Sequence, residues 1–175
     1  MCIRDRSNAT KACNFTSTGI KNATTRNLIS DTIYYLGGHN SFSVYPNQIY
    51  EKERGTTVYS GRPTEWTGKI ALAYPSDYGY AADLGKCSQN LNNYNNSTCT
   101  SNNWMKAIVA PNYGWLLTPR SGIASNVWYV YSSGGVYYNS YVYNAYGVAP
   151  VLFLNSDANV KSGTGTSSDP YQISV

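Results

Sequence analysis

The chain has 175 residues and a formal net charge of +4, and only 13% of its residues are charged while 18 are tyrosine. A chain of this length suits one domain with a sizeable core. Its lysines and arginines are scattered and form no basic stripe, which argues against nucleic-acid binding. Because few residues are charged, the solubility of the surface depends on the polar side chains of Asn, Ser, Thr and Tyr. Such a surface is unusual.

The start of the chain is treated separately because it does not read as part of a natural protein. Its first six residues, MCIRDR, resemble a translated sequencing adapter and carry no apolar run. We therefore predict that residues 1–6 are non-native and that residues 7–175 form a single domain. The true amino terminus, with any signal peptide or membrane anchor, is expected to lie upstream, so membrane attachment is expected only through that missing segment.

The first predicted element is a helix over residues 24–36, where apolar side chains recur at helical spacing. These side chains are Ile29, Ile33 and Leu36. Asn22 or Thr24 supplies the N-cap, and two glycines at positions 37 and 38 end the helix. His39 then lies in the turn after the helix, where a polar side chain needs no catalytic role.

The next region is rich in turns. From residue 56 to residue 82, glycines and prolines recur every few residues, and KIALAY (residues 69–74) is the one clear strand. Before it, EKERG (residues 51–55) is interpreted as a solvated turn. Carboxylates are present that could supply a glycosidase acid/base pair, but nothing in their spacing brings them together. They are Glu51, Glu53, Glu65 and Asp77.

Cys87 and Cys99 bracket SQNLNNYNNST, a polar loop with no means of ordering itself by burial. We predict a disulfide between them, which would stabilise the fold by about 3 kcal/mol and would indicate an oxidising exterior. The alternative is two reduced thiols in a cytosolic protein, and Cys13 is either free or paired outside the sequence. A metal site and a catalytic pairing of His39 with Cys13 or Cys87 are both disfavoured, because C-x-x-C spacing is absent and His39 is interpreted as a turn residue.

Strands dominate the second half of the chain. A short helix at NNWMKAIV, capped by Ser101 and stopped by Pro111, is followed by strands at GWLLTP, NVWYVYSS, GVYYNSYVY and APVLFLN. The glycines of SSGG (residues 132–135) offer the positive dihedrals of a tight turn, which predicts an antiparallel hairpin. GTGTSSDPY (residues 163–171) lacks the lysine of a phosphate loop and predicts a turn before a terminal strand.

Strict alternation along the hairpin gives two faces. One is predicted to be buried and consists of Trp128, Val130, Val136, Tyr138 and Val142. The other is polar and aromatic, and we predict that it binds ligand, because Tyr supplies rigid contact area while Ser and Asn supply adaptable hydrogen bonds. The predicted site comprises Tyr129, Tyr131, Tyr137, Asn139, Tyr141 and Tyr143, with Arg120, Asn126 and Asn144 at its rim. The alternative is a purely structural ladder of tyrosines across the strands.

WLLTPRSG, followed by an aromatic hairpin that ends in AYGVAPVLFLN, resembles the pattern W-L-R-S-P … Y-V … G … G-V-R-P-V-L of a surface-protein domain family of uncharacterised function from gut Firmicutes. The resemblance covers residues 20–175, although Ala149 stands where the family has arginine. That family is similar to C-type-lectin-like domains, whose relatives include formylglycine-generating enzymes. The resemblance implies an α+β, C-type-lectin-like fold with one or two helices, small antiparallel sheets and long loops.

A fold resemblance alone implies no activity. The Glu-Pro-Asn, Gln-Pro-Asp and Trp-Asn-Asp tripeptides of calcium-dependent lectins are absent, and no redox-active cysteine motif is recognised. We therefore expect a non-enzymatic recognition or adhesion module, extracellular or at the cell surface, that binds a glycan or a protein surface without metal or cofactor. The alternatives are the head domain of a pilin-like filament subunit and a degenerate enzyme of the formylglycine-generating type.

Overall fold

The computed structural model describes residue 20, residues 22–166 and residues 168–174. The predicted non-native segment 1–6 and Cys13 lie outside the described residues. Within them, short helices are interspersed with small antiparallel sheets, which confirms the predicted α+β class. None of the helices in these ranges is long and apolar enough to span a membrane.

The helices are α1 (Ala23–Asn27), α2 (Pro46–Glu53), α3 (Pro75–Tyr80), α4 (Ser97–Ser101) and α5 (Lys106–Val109), with a 3-10 turn at Leu91–Asn93. The strands are β1 (Thr32–Tyr35), β2 (Glu65–Gly68), β3 (Ile70–Leu72), β4 (Gly114–Pro119), β5 (Asn126–Val130), β6 (Val136–Tyr141), β7 (Pro150–Leu152), β8 (Asn159–Ser162) and β9 (Gln172–Ser174). These strands pair in antiparallel fashion: β1 with β2, β3 with β7, β8 with β9, and β5 between β4 and β6 in a three-stranded sheet.

The predicted helix over residues 24–36 is wrong beyond its first turn. α1 ends at Asn27, and the predicted cap is confirmed at Asn22, whose Oδ1 accepts a hydrogen bond from the Thr25 N–H at 3.2 Å. Residues 32–35 form β1 instead, where Tyr34 is buried and stacks on Trp66 of β2. Its β-branched and aromatic side chains suit a strand, and the pairing partner lies too far along the chain for local spacing to reveal it.

The interpretation of EKERG as a solvated turn is also wrong. Most of this segment is the end of α2, which begins at Pro46 and is capped by the Gln48 side chain accepting from the Tyr45 N–H at 3.0 Å. α3 begins in the same way, with the Asp77 carboxylate accepting from the Tyr74 N–H at 2.9 Å. The last residue of α2, Glu53, is fully buried against α3.

The predicted disulfide between Cys87 and Cys99 is present, and both residues are buried in the core. The loop between them is ordered in part by burial, contrary to expectation, because Leu91 and Tyr94 are also buried. The short helix after the loop is confirmed only at Lys106–Val109. Ser101 does not cap that helix and instead ends α4.

The second half of the chain follows the predicted strands closely. β4 coincides with GWLLTP, and the hairpin turn between β5 and β6 is confirmed. In the first half, the strand predicted in KIALAY is confirmed as β3. Gly134 has φ of +100° in the hairpin turn, a conformation that favours glycine. The terminal turn is confirmed as well, since Gly163 and Gly165 have positive φ before β9.

The sheet of β4, β5 and β6 separates two apolar clusters, so both faces of its central strand, β5, are covered. The first core contains the predicted buried side chains Trp128, Val130, Val136 and Tyr138, together with Leu116, Ile49, Leu91 and the disulfide. The second core contains Trp115, Leu117, Val127 and Tyr129 from the sheet, with Tyr34, Leu72 and Tyr74 from outside it. The expectation that one face of the hairpin is wet is therefore wrong for β5, which is buried along its whole length.

Candidate ligand-binding site

A β-bulge decides which hairpin side chains share a face. Tyr129 is the cross-strand partner of Tyr137, and Val127 is that of Ser140, so the single residue between them on β5 faces two residues on β6. Beyond the bulge, the face occupied by Val127 therefore continues with Ser140 and not with Tyr141. Strict alternation fails at this point, and the nine predicted site residues do not form one surface.

Four of the predicted residues line an open pocket of about 300 Å³, which we call the aromatic pocket. They are Tyr129, Tyr131, Tyr137 and Asn139. A fifth lining residue, Ser133, comes from the hairpin turn. Sequence reasoning missed Ser133 because the turn was considered only for its backbone conformation.

The aromatic pocket combines ring surfaces with fixed polar groups. The Tyr129 hydroxyl donates a hydrogen bond to Oδ1 of Asn139 at 3.1 Å, and the Tyr137 hydroxyl donates to the Asn92 carbonyl at 3.4 Å. The rings of Tyr131 and Tyr137 meet edge to face, with centroids 5.6 Å apart and planes at 72°. Tyr131 is the outermost of the three tyrosines, with 38% of its surface exposed.

Tyr129 forms the floor of the pocket, because it is the most buried of the three tyrosines. Burial, followed by the charges that neighbouring tyrosines would carry, raises the pKa of its phenol well above the ordinary value of 10.0. Its ring lies 5.5 Å from that of Tyr146, which in turn stacks on Tyr113 at 4.9 Å and packs on Trp115 at 4.5 Å. This packing holds the floor of the pocket in place before any ligand arrives.

Asn144 and Val142 also lie on the pocket side of the sheet. The Asn144 amide donates to Ser140 Oγ at 2.9 Å, and Ser140 Oγ donates to the Tyr146 hydroxyl at 3.0 Å, so Asn144 supports Tyr146. Val142 packs against the second core, which corrects its predicted place beside Trp128. The supporting role of Tyr146 was missed because this residue lies after the hairpin, where the sequence has no alternation of apolar and polar residues that would mark a side chain as buried.

The remaining predicted site residues lie elsewhere. Tyr141 is paired with Asn126, which places it on the Trp128 side of the sheet, where its ring stacks on that of Tyr143 at 5.2 Å. Asn126 is buried and cannot form a ligand-contacting rim. Arg120 was expected beside these residues, but its guanidinium lies 4.5 Å above the ring of Tyr138.

Side chains that could hold a metal ion do not gather in the part of the chain that the structure describes, and the neighbouring carboxyl groups of Glu53 and Asp77 lie outside the lining of the aromatic pocket. No set of three or more His, Cys, Asp or Glu side chains is close enough there to hold a metal ion. His39 stacks on Trp128 at 6.3 Å, and burial together with the nearby Lys52 charge lowers its pKa. The lining of the aromatic pocket itself contains no imidazole, carboxylate or thiol.

Comparisons of the chain with protein-family models, with curated proteins and with solved structures found no match.

Proposed function

We propose that the domain is a non-enzymatic ligand-binding module whose site is the aromatic pocket. The observation that carries the proposal is the convergence of Tyr129, Tyr131, Tyr137 and Asn139 around one concavity of about 300 Å³. Ligand sites are typically concave and combine apolar surface with a few fixed polar groups. The hydrogen bond from Tyr129 to Asn139 and the packing of Tyr146 beneath Tyr129 fix those groups in advance.

Binding without catalysis is favoured by the chemistry of the lining. Tyrosine, serine and asparagine side chains can orient a ligand, whereas general acid-base catalysis usually relies on a group that titrates near neutral pH. The rival proposal of a formylglycine-generating type of enzyme needs reactive cysteines. Cys87 and Cys99 instead form a disulfide that is buried in the first core, where a structural role is expected.

We further propose that the domain is extracellular or on the cell surface and has the C-type-lectin-like fold that the sequence resembles. The disulfide supports an oxidising location. Short helices beside small antiparallel sheets, with an aromatic hairpin in the largest sheet, are compatible with that fold.

The proposal is tested by screening the domain against an oligosaccharide array and a panel of cell-surface proteins. Any ligand found is then mapped by changes in backbone amide chemical shifts. The largest changes are expected at Tyr131, Ser133 and Asn139. Tyr131→Ala should weaken binding, and it should also lower the melting temperature because the ring packs on Tyr113, Tyr129 and Tyr137, so binding is compared at a temperature where the variant is fully folded. Tyr143→Ala is the matched control, since Tyr143 is 63% exposed and stacks on the far side of the sheet. A ligand whose affinity stays within twofold in both Tyr131→Ala and Asn139→Ala would show that the pocket is not the site.

A further inference from the structure

We propose that four aromatic rings form an electron relay, which carries a one-electron oxidation from the buried Trp115 to Tyr131 at the surface, where a thiol or a phenol in solution removes it. The relay runs from Trp115 through Tyr146 and Tyr113 to Tyr131. This activity is separate from ligand binding in the aromatic pocket. It follows from the spacing of the rings, from their chemistry and from the change from burial to exposure along the path.

The rings are close enough for fast electron transfer. The three successive separations between ring centroids, from Trp115 to Tyr131, are 4.5 Å, 4.9 Å and 4.7 Å. Electron tunnelling falls steeply with distance, so short steps between rings in contact are much faster than one long step from end to end. The path therefore divides the transfer into steps that are each short.

Every ring on the path is able to lose an electron. Indole and phenol groups give up one electron far more readily than the phenyl ring of phenylalanine. Phenylalanine would fill nearly the same space as tyrosine in an apolar core, so replacing tyrosine by phenylalanine interrupts the relay while keeping the ring. This difference separates a relay from rings that serve packing alone.

Exposure sets the direction of transfer. Trp115 is 8% exposed, whereas Tyr131 is 38% exposed and is the most exposed ring on the path. A tyrosine that loses an electron becomes a stable neutral phenoxyl radical only when it also releases its hydroxyl proton, and water at the surface accepts that proton. At neutral pH the neutral phenoxyl radical lies lower in energy than the indole radical. The oxidation therefore ends at Tyr131.

Tyr129 and Tyr113 hold their protons and do not end the path. Burial raises the pKa of the Tyr129 phenol, and its hydroxyl donates to the amide oxygen of Asn139, which is not a base. A hydrogen bond to Tyr131 raises the pKa of the Tyr113 phenol. A radical that keeps its positive charge in an apolar site is costly, so the electron vacancy passes on to Tyr131.

The electrons and protons balance over the whole reaction. An external one-electron oxidant, such as a radical formed from hydrogen peroxide, takes one electron from Trp115. Trp115 regains an electron from Tyr131 through the two rings between them, each of which loses and regains one electron. Tyr131 loses this electron and gives its hydroxyl proton to water. A thiol or phenol then donates a hydrogen atom that restores the Tyr131 hydroxyl, and the reductant leaves as a thiyl or phenoxyl radical.

The test is flash photolysis of a background variant with Trp66→Phe and Trp104→Phe, which removes the indoles that are 41% and 68% exposed. A light pulse ionises the remaining tryptophans, and the absorption bands of the indole and phenoxyl radicals are followed in time. The indole radical is expected to convert into a phenoxyl radical at a rate that does not depend on protein concentration. Trp115→Phe should at least halve the phenoxyl yield, because the other remaining tryptophan, Trp128, is not on the path.

Variants of the path test the route and its end. Tyr113→Phe and Tyr146→Phe should each slow the conversion at least threefold. Tyr143→Phe is the matched control and should leave the rate within twofold, because Tyr143 stacks on Tyr141 away from the path. A spin trap located by mass spectrometry should be attached to Tyr131, and added glutathione should shorten the lifetime of the phenoxyl radical.

Three results would overturn the inference, once circular dichroism has shown that each variant is folded. If the conversion rate rises in proportion to protein concentration, the transfer occurs between molecules. If Tyr113→Phe and Tyr146→Phe leave the rate as unchanged as Tyr143→Phe does, the rings serve packing alone. If the spin trap shows no preference for Tyr131, the end of the path is wrong. Each of these failures leaves the proposed binding function standing, because none of them measures ligand binding.

Discussion

Glu53 shows how strongly a single residue can depart from what its neighbours in sequence indicate. It lies among charged residues, yet its side chain is 0% exposed. Its carboxylate accepts hydrogen bonds from the Ser76 N–H at 3.0 Å, from the Ser76 hydroxyl and from the Thr118 hydroxyl at 3.5 Å, and it pairs with Arg54 at 3.4 Å. Burial nevertheless dominates and raises the pKa of Glu53 from its ordinary value of 4.5 to about 8.

A raised carboxyl pKa predicts that the protein loses stability as the pH rises. The folded state holds the Glu53 proton more tightly than the unfolded chain, so the stabilisation is complete below pH 4.5 and is lost as the pH approaches about 8. Urea unfolding of the wild type and Glu53→Gln between pH 5 and 8.5 measures this. The wild-type free energy of unfolding, taken relative to that of the variant, should fall steadily across the range.

The comparison with Glu53→Gln also involves two other titrating groups. Burial raises the pKa of Asp77, which acts in the same direction, and lowers the pKa of His39, which acts in the opposite direction below its ordinary value of 6.5. Both groups are present in both proteins, so the contribution of His39 cancels in the difference. The charge of Asp77 itself raises the pKa of Glu53, so the difference reports Glu53 together with its interaction with Asp77. A difference that stays constant from pH 5 to 8.5 would show that the Glu53 carboxyl is not held in the core.

At the scale of elements, the sequence predicted those helices, strands and turns whose signals lie within the element itself. The hairpin turn follows from its glycines, and β4 follows from its apolar run, because both signals lie within the element. β1 was mistaken for helix because Ile29 and Ile33 fit a helical spacing, while its partner β2 lies some 30 residues away. The bulge was missed because it arises between two strands, and it divides the predicted site residues between the two faces of the sheet.

The loop from Cys87 to Cys99 provides the prediction that belongs to this scale. The double variant Cys87→Ala, Cys99→Ala should lose about 3 kcal/mol of unfolding free energy, because the disulfide restricts the unfolded chain. Chemical denaturation measures this loss, and non-reducing peptide mapping should find the two cysteines linked in protein exported to an oxidising compartment. Wild-type protein treated with reductant is the matched control and should approach the stability of the variant. Free thiols at both positions in the exported protein would contradict the structure.

At the scale of the molecule, the central sheet links the site to the rest of the fold. Its first face rests on the first core, which includes the disulfide, and its second face carries the aromatic pocket at the margin of the second core. The strand that completes the second core, β3, pairs with β7 through residues such as Ile70 and Leu152, which are far apart in sequence. Such long-range pairings determine the arrangement of the fold, and no local pattern encodes them.

Metal independence is the prediction for the whole molecule. Ca²⁺ needs about six to eight oxygen ligands, several of them usually carboxylates, and no group of three or more candidate side chains converges among the described residues. The aromatic pocket, moreover, is lined only by Tyr, Ser and Asn side chains.

Chelator and millimolar calcium should therefore each leave the melting temperature and the affinity for any pocket ligand unchanged. Thermal melts and titrations of one protein preparation in both buffers measure this, with magnesium as the control for ionic strength. A rise of several degrees in melting temperature with calcium but not with magnesium would reveal a specific calcium site and contradict binding through the neutral pocket alone.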